Sequence, residues 1–121
     1  MTREDILRDL RSYKELRYKK MKLDNMMINV KSPNGKKSIM SSGKKIGIND
    51  LIMMAQENDS EMDRIESIID LVDDTRNRIV LEYKFIFFMT NREVAKAMHY
   101  DKSSVLRYYS AAIDELVRKL S

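Results

Sequence analysis

The chain has 121 residues, of which 43% are hydrophobic and 35% are charged. It is long enough for one domain with a hydrophobic core, and it is too apolar to be a disordered protein. Helices suit this combination, because a helix can bury one stripe and leave its other faces to charged side chains. One Pro and three Gly supply few of the tight turns that an all-β fold needs. We therefore expect an all-α protein.

Composition also limits which metal sites, disulfides and catalytic sites the chain can form. The absence of Cys excludes disulfides and thiolate metal sites, and a single His excludes a multi-histidine site, although carboxylates alone could hold a hard cation. The sequence has no Gly-rich phosphate loop, histidine pair or paired carboxylates in an apolar setting. We expect no enzyme activity, no cofactor and no metal. Without a signal-peptide pattern or an apolar run of about 20 residues, we expect a cytoplasmic protein that does not enter a membrane.

Charge is unevenly distributed along the chain. Residues 1–50 carry a net charge of +7, residues 51–74 carry −7 and residues 75–121 carry +4. Each basic end could meet a polyanion, whereas the acidic middle is a poor surface for DNA. The alternative is that these charges only solvate the faces of helices.

The first segment, residues 1–25, has the pattern of an amphipathic helix. Its apolar residues recur every three or four positions and form one stripe, and Thr2 with Asp5 resembles a capping box. The stripe could pair with a second copy of the chain, and on this basis we expect a homodimer. The alternative is that it covers the apolar helix around Phe85 in the same chain. The stripe consists of Ile6, Leu7, Leu10, Tyr13 and Leu16.

Residues 26–48 interrupt this pattern with a basic Lys/Ser/Gly loop. They contain the only Pro, all three Gly and two lysine pairs, Lys36-Lys37 and Lys44-Lys45. The alternative is a small hairpin around Pro33-Asn34-Gly35, with Met26, Ile28 and Val30 on its first arm. We expect the lysines to add affinity for DNA phosphates independently of base sequence.

Helical spacing resumes over residues 49–121, which we interpret as a helical domain starting with Asn49 as N-cap. An acidic helix carries the stripe Met62, Ile65, Ile68, Ile69 and Val72. The next segment, Asp74 to Phe88, is apolar on nearly all sides at its end. We expect that end to lie at the centre of the core.

The last segment, residues 90–116, predicts a helix-turn-helix. Thr90 and Glu93 form a capping box, and a short helix follows with Ala95 where two helices would cross. His99 falls where a left-handed residue must turn the chain, and Asp101 caps the second helix. The inward stripe of that helix is Val105, Tyr108, Tyr109, Ala112, Ile113, Leu116 and Leu120. The alternative is an ordinary pair of terminal bundle helices with the same inward stripe.

The outward residues of this segment suit DNA. Asn91 and Arg92 lie at the positive end of the first helix, which favours a phosphate. Lys and Arg can donate to guanine, and Ser can both donate and accept, so the start of the second helix could read base edges. Its candidate DNA-binding residues are Lys102, Ser103, Ser104, Leu106 and Arg107.

The run Thr90-x-x-Glu93-Val94-Ala95-x-x-Met98-x-Tyr100-Asp101-Lys102-Ser103-x-Val105, followed by Ala112-Ile113-x-x-Leu116, resembles the fourth conserved region of bacterial sigma factors. It departs from that region at His99, where the family has Gly, at Asp101, where the family has Ser, and in a reading face with fewer arginines. The layout of the whole chain is similar to phage regulators of the ArpU and RinA type. The resemblance implies a sigma-like helix-turn-helix and a phage-encoded transcription regulator that binds double-stranded DNA in the host cytoplasm.

Two other functions fit the same pattern. The chain could be a protein-interaction module that binds RNA polymerase or another regulator, with its acidic helix from Glu57 to Asp74 as the contact face. It could also be a small DNA-packaging subunit that assembles into rings. Loss of Lys102 and Arg107 should leave partner binding intact in the first case, and the mass in solution would reveal the second.

Overall fold

A computed structural model describes residues 1–31, 40–41, 44–45 and 47–121 of the chain. Helices make up most of this part, so the all-α prediction is confirmed. None of the described helices has the length and apolar character needed to cross a membrane. The helices are α1 (Arg3–Lys31), α2 (Ile48–Asp70), α3 (Thr75–Leu81), α4 (Asn91–Met98) and α5 (Lys102–Lys119), and a π-helical turn, Glu82–Ile86, follows α3 directly.

Two predicted boundaries are wrong. Helix α1 continues to Lys31, so the first arm of the alternative hairpin is helical. Helix α2 already includes Asn49, and the Leu51 N–H donates to the Gly47 carbonyl, which places the helix start before the predicted N-cap. Between them, strands β1 (Met40–Ser41) and β2 (Lys44–Lys45) pair antiparallel. The Pro33-Asn34-Gly35 turn and the Lys36-Lys37 pair lie outside the described residues.

The chain forms two compact units. Unit 1 comprises residues 1–14 and 64–121, and unit 2 comprises residues 15–63. Helices α1 and α2 each contribute residues to both units. The candidate DNA-binding segment belongs entirely to unit 1.

Unit 2 is a pair of helical segments with the β1–β2 ladder. Leu23, Met26 and Leu51 form its buried cluster. The buried amide of Asn58 donates to the Leu16 carbonyl at 3.0 Å. Lys20 forms an ion pair with Asp59 of α2 at 2.9 Å. These contacts fix the register of one helical segment on the other.

In unit 1, the first turns of α1 lie within the fold. Thr2 and Asp5 exchange hydrogen bonds of 3.1 Å in both directions, as the sequence predicts. Ile6, Leu10 and Tyr13 are buried, and the Tyr13 hydroxyl donates to Glu66 at 2.7 Å. Three residues of the stripe that predicted a homodimer are therefore buried in the single chain, and the Tyr13 ring lies 6.5 Å from the Phe88 ring, as the alternative interpretation expects.

The end of the segment from α3 onward differs from its prediction. Val80 and Leu81 are fully buried, but the residues after them are only partly covered, and Phe87 is 63% exposed. A π-helical turn closes i→i+5 hydrogen bonds and so holds one residue more than an α-helical turn. Each extra residue rotates the following side chains by roughly 100° about the axis, since an α-helix has 3.6 residues per turn. Phe87 lies at the surface, so the prediction that this end of the segment lies at the centre of the core is wrong.

Candidate nucleic-acid interface

Helix α4 begins at the predicted capping box. The Glu93 N–H donates to Thr90 Oγ1 at 3.2 Å, and the Thr90 N–H donates to Glu93 Oε1 at 2.8 Å. Hydrogen bonds to the Glu93 carboxylate from the Thr90 backbone N–H, and then from the Thr90 side chain, hold the pKa of Glu93 below its usual value. Two of the N–H groups that a helix start leaves without partners are satisfied in this way.

The turn after α4 is a Schellman motif. His99 has φ 61° and ψ 39°, which is the left-handed conformation predicted for it. The Tyr100 N–H donates to the Ala95 carbonyl at 3.0 Å, and the His99 N–H donates to the Lys96 carbonyl at 3.3 Å. These two hydrogen bonds define the motif and stop the helix sharply. Only two residues separate α4 from the cap of the next helix.

That cap is Asp101, as predicted. Its carboxylate accepts the Ser104 N–H and the Ser103 hydroxyl, both at 3.0 Å. Hydrogen bonds from Ser104, and then from Ser103, hold the pKa of Asp101 below its usual value. The two serines therefore help to form the cap of α5. Ser104 Oγ also accepts a hydrogen bond from Arg107 at 3.3 Å.

A small apolar cluster holds α4 against α5. Val80, Val94, Ala95 and Val105 are buried together, and all are small or β-branched. Small side chains at a helix crossing permit a close approach of the two backbones. The predicted role of Ala95 at the crossing agrees with its burial.

The start of α5 presents an exposed surface on its other side. Lys102, Leu106 and Arg107 are exposed, and Leu106 is 44% exposed. The Arg107 guanidinium lies 5.5 Å from the Tyr108 ring centroid. This contact and the hydrogen bond to Ser104 restrain a long side chain, which lowers the entropy cost of binding a ligand.

Sequence reasoning missed a second arginine at this surface. Arg76, from the first turn of α3, lies 4.4 Å from the centroid of the Tyr108 ring. Tyr100 packs edge-on against Tyr108 at 5.3 Å. Tyr108 thus contacts both Arg76 and Arg107. A hydrogen bond with Tyr100 is the main cause that raises the pKa of Arg76. Arg76 lies outside the helix-turn-helix segment, so no local motif could have indicated it.

The two residues predicted to hold a phosphate at α4 have different surroundings. Arg92 is exposed, whereas Asn91 is partly covered and its Oδ1 accepts a hydrogen bond from Lys84. The Lys84 ammonium also lies 4.8 Å over the Tyr109 ring. Burial, and then the charge of Arg11, lowers the pKa of Lys84.

The structure thus brings Lys102, Ser103, Ser104, Leu106 and Arg107 together at the start of α5, and it places Asn91 and Arg92 at the start of α4.

Among the described residues, no cluster of His, Asp and Glu side chains has the arrangement of a metal site. Comparison of the chain with protein-family models, curated proteins and solved structures finds no match.

Proposed function

We propose that this chain is a sequence-specific transcription regulator that reads duplex DNA with the first turns of α5. The observation that supports the proposal is the combination of two helix caps and a Schellman turn around one short connection. This frame buries Val94, Ala95 and Val105 while it leaves Lys102 and Arg107 exposed. A helix-turn-helix presents its second helix to the major groove in this way.

Within that proposal, the exposed residues take separate roles. Arg107 and Lys102 would donate to guanine O6 and N7, and Leu106 would contact a thymine methyl group. Arg92, at the positive end of α4, would contact a backbone phosphate. The sequence resemblance to sigma factors and to ArpU and RinA regulators leads us to propose transcription control in a phage.

The first experiment identifies the DNA. The purified chain is mixed with fragmented genomic duplexes, and the retained fragments are sequenced. Enrichment of a common sequence is expected, and retention of fragments without any shared sequence would contradict specific reading. The enriched duplex then serves as the specific ligand for the variants below.

Arg107→Ala tests the reading surface directly. It should weaken binding to the specific duplex by roughly 1–3 kcal/mol and relax the choice at one or two base pairs. The matched control is Arg118→Ala, which removes an equal charge from an exposed position near the other end of α5. Equal losses on specific and random duplexes would make Arg107 a phosphate contact instead.

A second candidate function, binding of a protein partner such as RNA polymerase, has one observation in its favour. Phe87 is 63% exposed and lines a groove of about 260 Å³ together with Ile69, Ile86 and the carboxylates Glu66, Asp70 and Glu82. An exposed aromatic ring with an acidic rim fits a basic, apolar segment of a partner. Phe87→Ser should then abolish partner binding while Arg107→Ala leaves it intact.

A further inference from the structure

A second groove in unit 1 has the opposite charge. It has a volume of about 270 Å³, and its walls combine three cationic side chains with apolar and aromatic ones. Helix α1 supplies one side, and the segment from the π-helical turn to Phe88 supplies the other. The lining residues are Leu10, Arg11, Lys14, Lys84, Phe85 and Phe88.

Within the described part of the chain, none of Arg11, Lys14 and Lys84 forms an ion pair with an acidic side chain. Lys14 instead lies 5.7 Å over the Phe88 ring. Three like charges at one partly apolar groove repel one another, and an anion bound there would relieve that repulsion.

The groove is also linked to the proposed DNA-binding surface. Lys84 lines the groove and donates its hydrogen bond to Asn91, the first residue of α4. The positive end of α4 therefore extends the same electropositive surface. In helix-turn-helix complexes the first helix crosses the sugar–phosphate backbone, so a backbone phosphate is the anion that this position would meet.

We propose that the groove formed by Arg11, Lys14 and Lys84 binds a backbone phosphate of duplex DNA, so that α1 takes part in DNA binding. This inference rests on the proposed function and extends it to a part of the chain outside the helix-turn-helix. The cations hold the phosphate, and Phe85 and Phe88 offer apolar walls to the adjoining deoxyribose. Such a contact fixes the orientation of the protein on the duplex and carries no sequence information.

The test compares two double variants of α1 with equal charge. Arg11→Gln with Lys14→Gln removes two groove cations, and Lys19→Gln with Lys22→Gln removes two exposed cations of the same helix outside the groove. Both pairs are exposed, so neither double variant should unfold the chain. Binding to the specific duplex and to a random duplex is measured over a series of salt concentrations.

The groove variant should flatten the slope of log K against log salt by about 0.9 for each phosphate that the protein no longer neutralises. The loss of affinity should be equal on the two duplexes, and the control variant should keep the slope of the unmodified chain. Duplexes with one uncharged methylphosphonate at a defined position provide a second readout. One or two positions should weaken binding of the unmodified chain and have no effect on the groove variant.

The outcomes separate the two proposals. If both double variants give the same slope while the unmodified chain still selects its specific duplex, the groove proposal is overturned and the proposed function stands. If the unmodified chain binds no duplex at all, both proposals are overturned. If only Arg107→Ala relaxes sequence choice and only the groove variant changes the slope, both are supported.

Discussion

Replacement of His99 by Gly should stabilise the chain, because His99 occupies the left-handed region at φ 61°. An L-residue in that region costs roughly 1–2 kcal/mol, and glycine removes this cost because it has no Cβ. Glycine also gives the unfolded chain more freedom, which reduces the gain by about 0.4–1 kcal/mol. The expected net gain in the free energy of unfolding is therefore about 0–1.6 kcal/mol, with a midpoint of about 0.8 kcal/mol. The His99 side chain is exposed, so its removal loses little buried surface.

Two further substitutions make this prediction sharp. His99→Ala retains a Cβ and should stay within about 0.5 kcal/mol of the original chain. His99→Val adds β-branching, which is poorly tolerated at positive φ, and should destabilise by about 1 kcal/mol or more. Urea unfolding followed by circular dichroism gives the midpoint and slope for each variant. If the Gly variant is no more stable than the Ala variant, the left-handed conformation at position 99 does not impose the expected cost, and the reasoning is refuted.

Two other predictions follow from the ends of α5. Glu115 is 9% exposed and accepts the Asp73 N–H at 2.9 Å, so Glu115→Ala should lower the free energy of unfolding by about 1–3 kcal/mol. The control is Asp114→Ala, which removes an exposed pair with Arg3 and should cost about 0–1 kcal/mol. Equal urea midpoints for the two variants would contradict this reasoning. Because the pKa of Asp101 is lowered in the folded chain, its stabilisation is complete above the usual value of 3.8 and is lost as the pH falls through the lower folded-state pKa. Asp101→Asn should keep the cap and reduce the acid dependence of the unfolding midpoint, and an unchanged pH profile would refute this link.

The parts of the fold that could be predicted from the sequence depend on interactions between near neighbours in the chain. The Thr90–Glu93 capping box, the left-handed His99 and the Asp101 cap each involve residues at most a few positions apart. Their hydrogen bonds satisfy the helix ends locally, so the residue types alone specify the geometry. The burial of Val105 and its helical neighbours follows from periodicity in the same way.

The features that could not be predicted depend on contacts between distant parts of the chain. Arg76 and Tyr108 are far apart in sequence, yet the Arg76 guanidinium lies 4.4 Å from the centroid of the Tyr108 ring. The burial of Ile6 and Leu10 within unit 1 depends on which surface the α1 stripe meets, and the stripe has the same pattern for an intramolecular or an intermolecular partner. Periodicity indicates that a face is buried and does not identify the surface that covers it.

The segment from Glu82 to Phe88 has a local pattern that the sequence shows and a backbone conformation that the sequence does not show. Its residues keep α-helical spacing, but the chain forms a π-helical turn and then places Phe88 at φ 58°, an uncommon conformation for a bulky side chain. The result is that Phe87 faces the acidic groove, whereas Lys84 and Phe88 line the basic one. A regular α-helix would direct these side chains differently, because the extra residue of the π-helical turn rotates the side chains after it by roughly 100° about the helix axis. Strained backbone of this kind persists only where the surrounding structure holds it, and it is concentrated at functional sites. The irregular backbone thus carries side chains that line both grooves, and the two proposals assign a different one of these grooves to the partner.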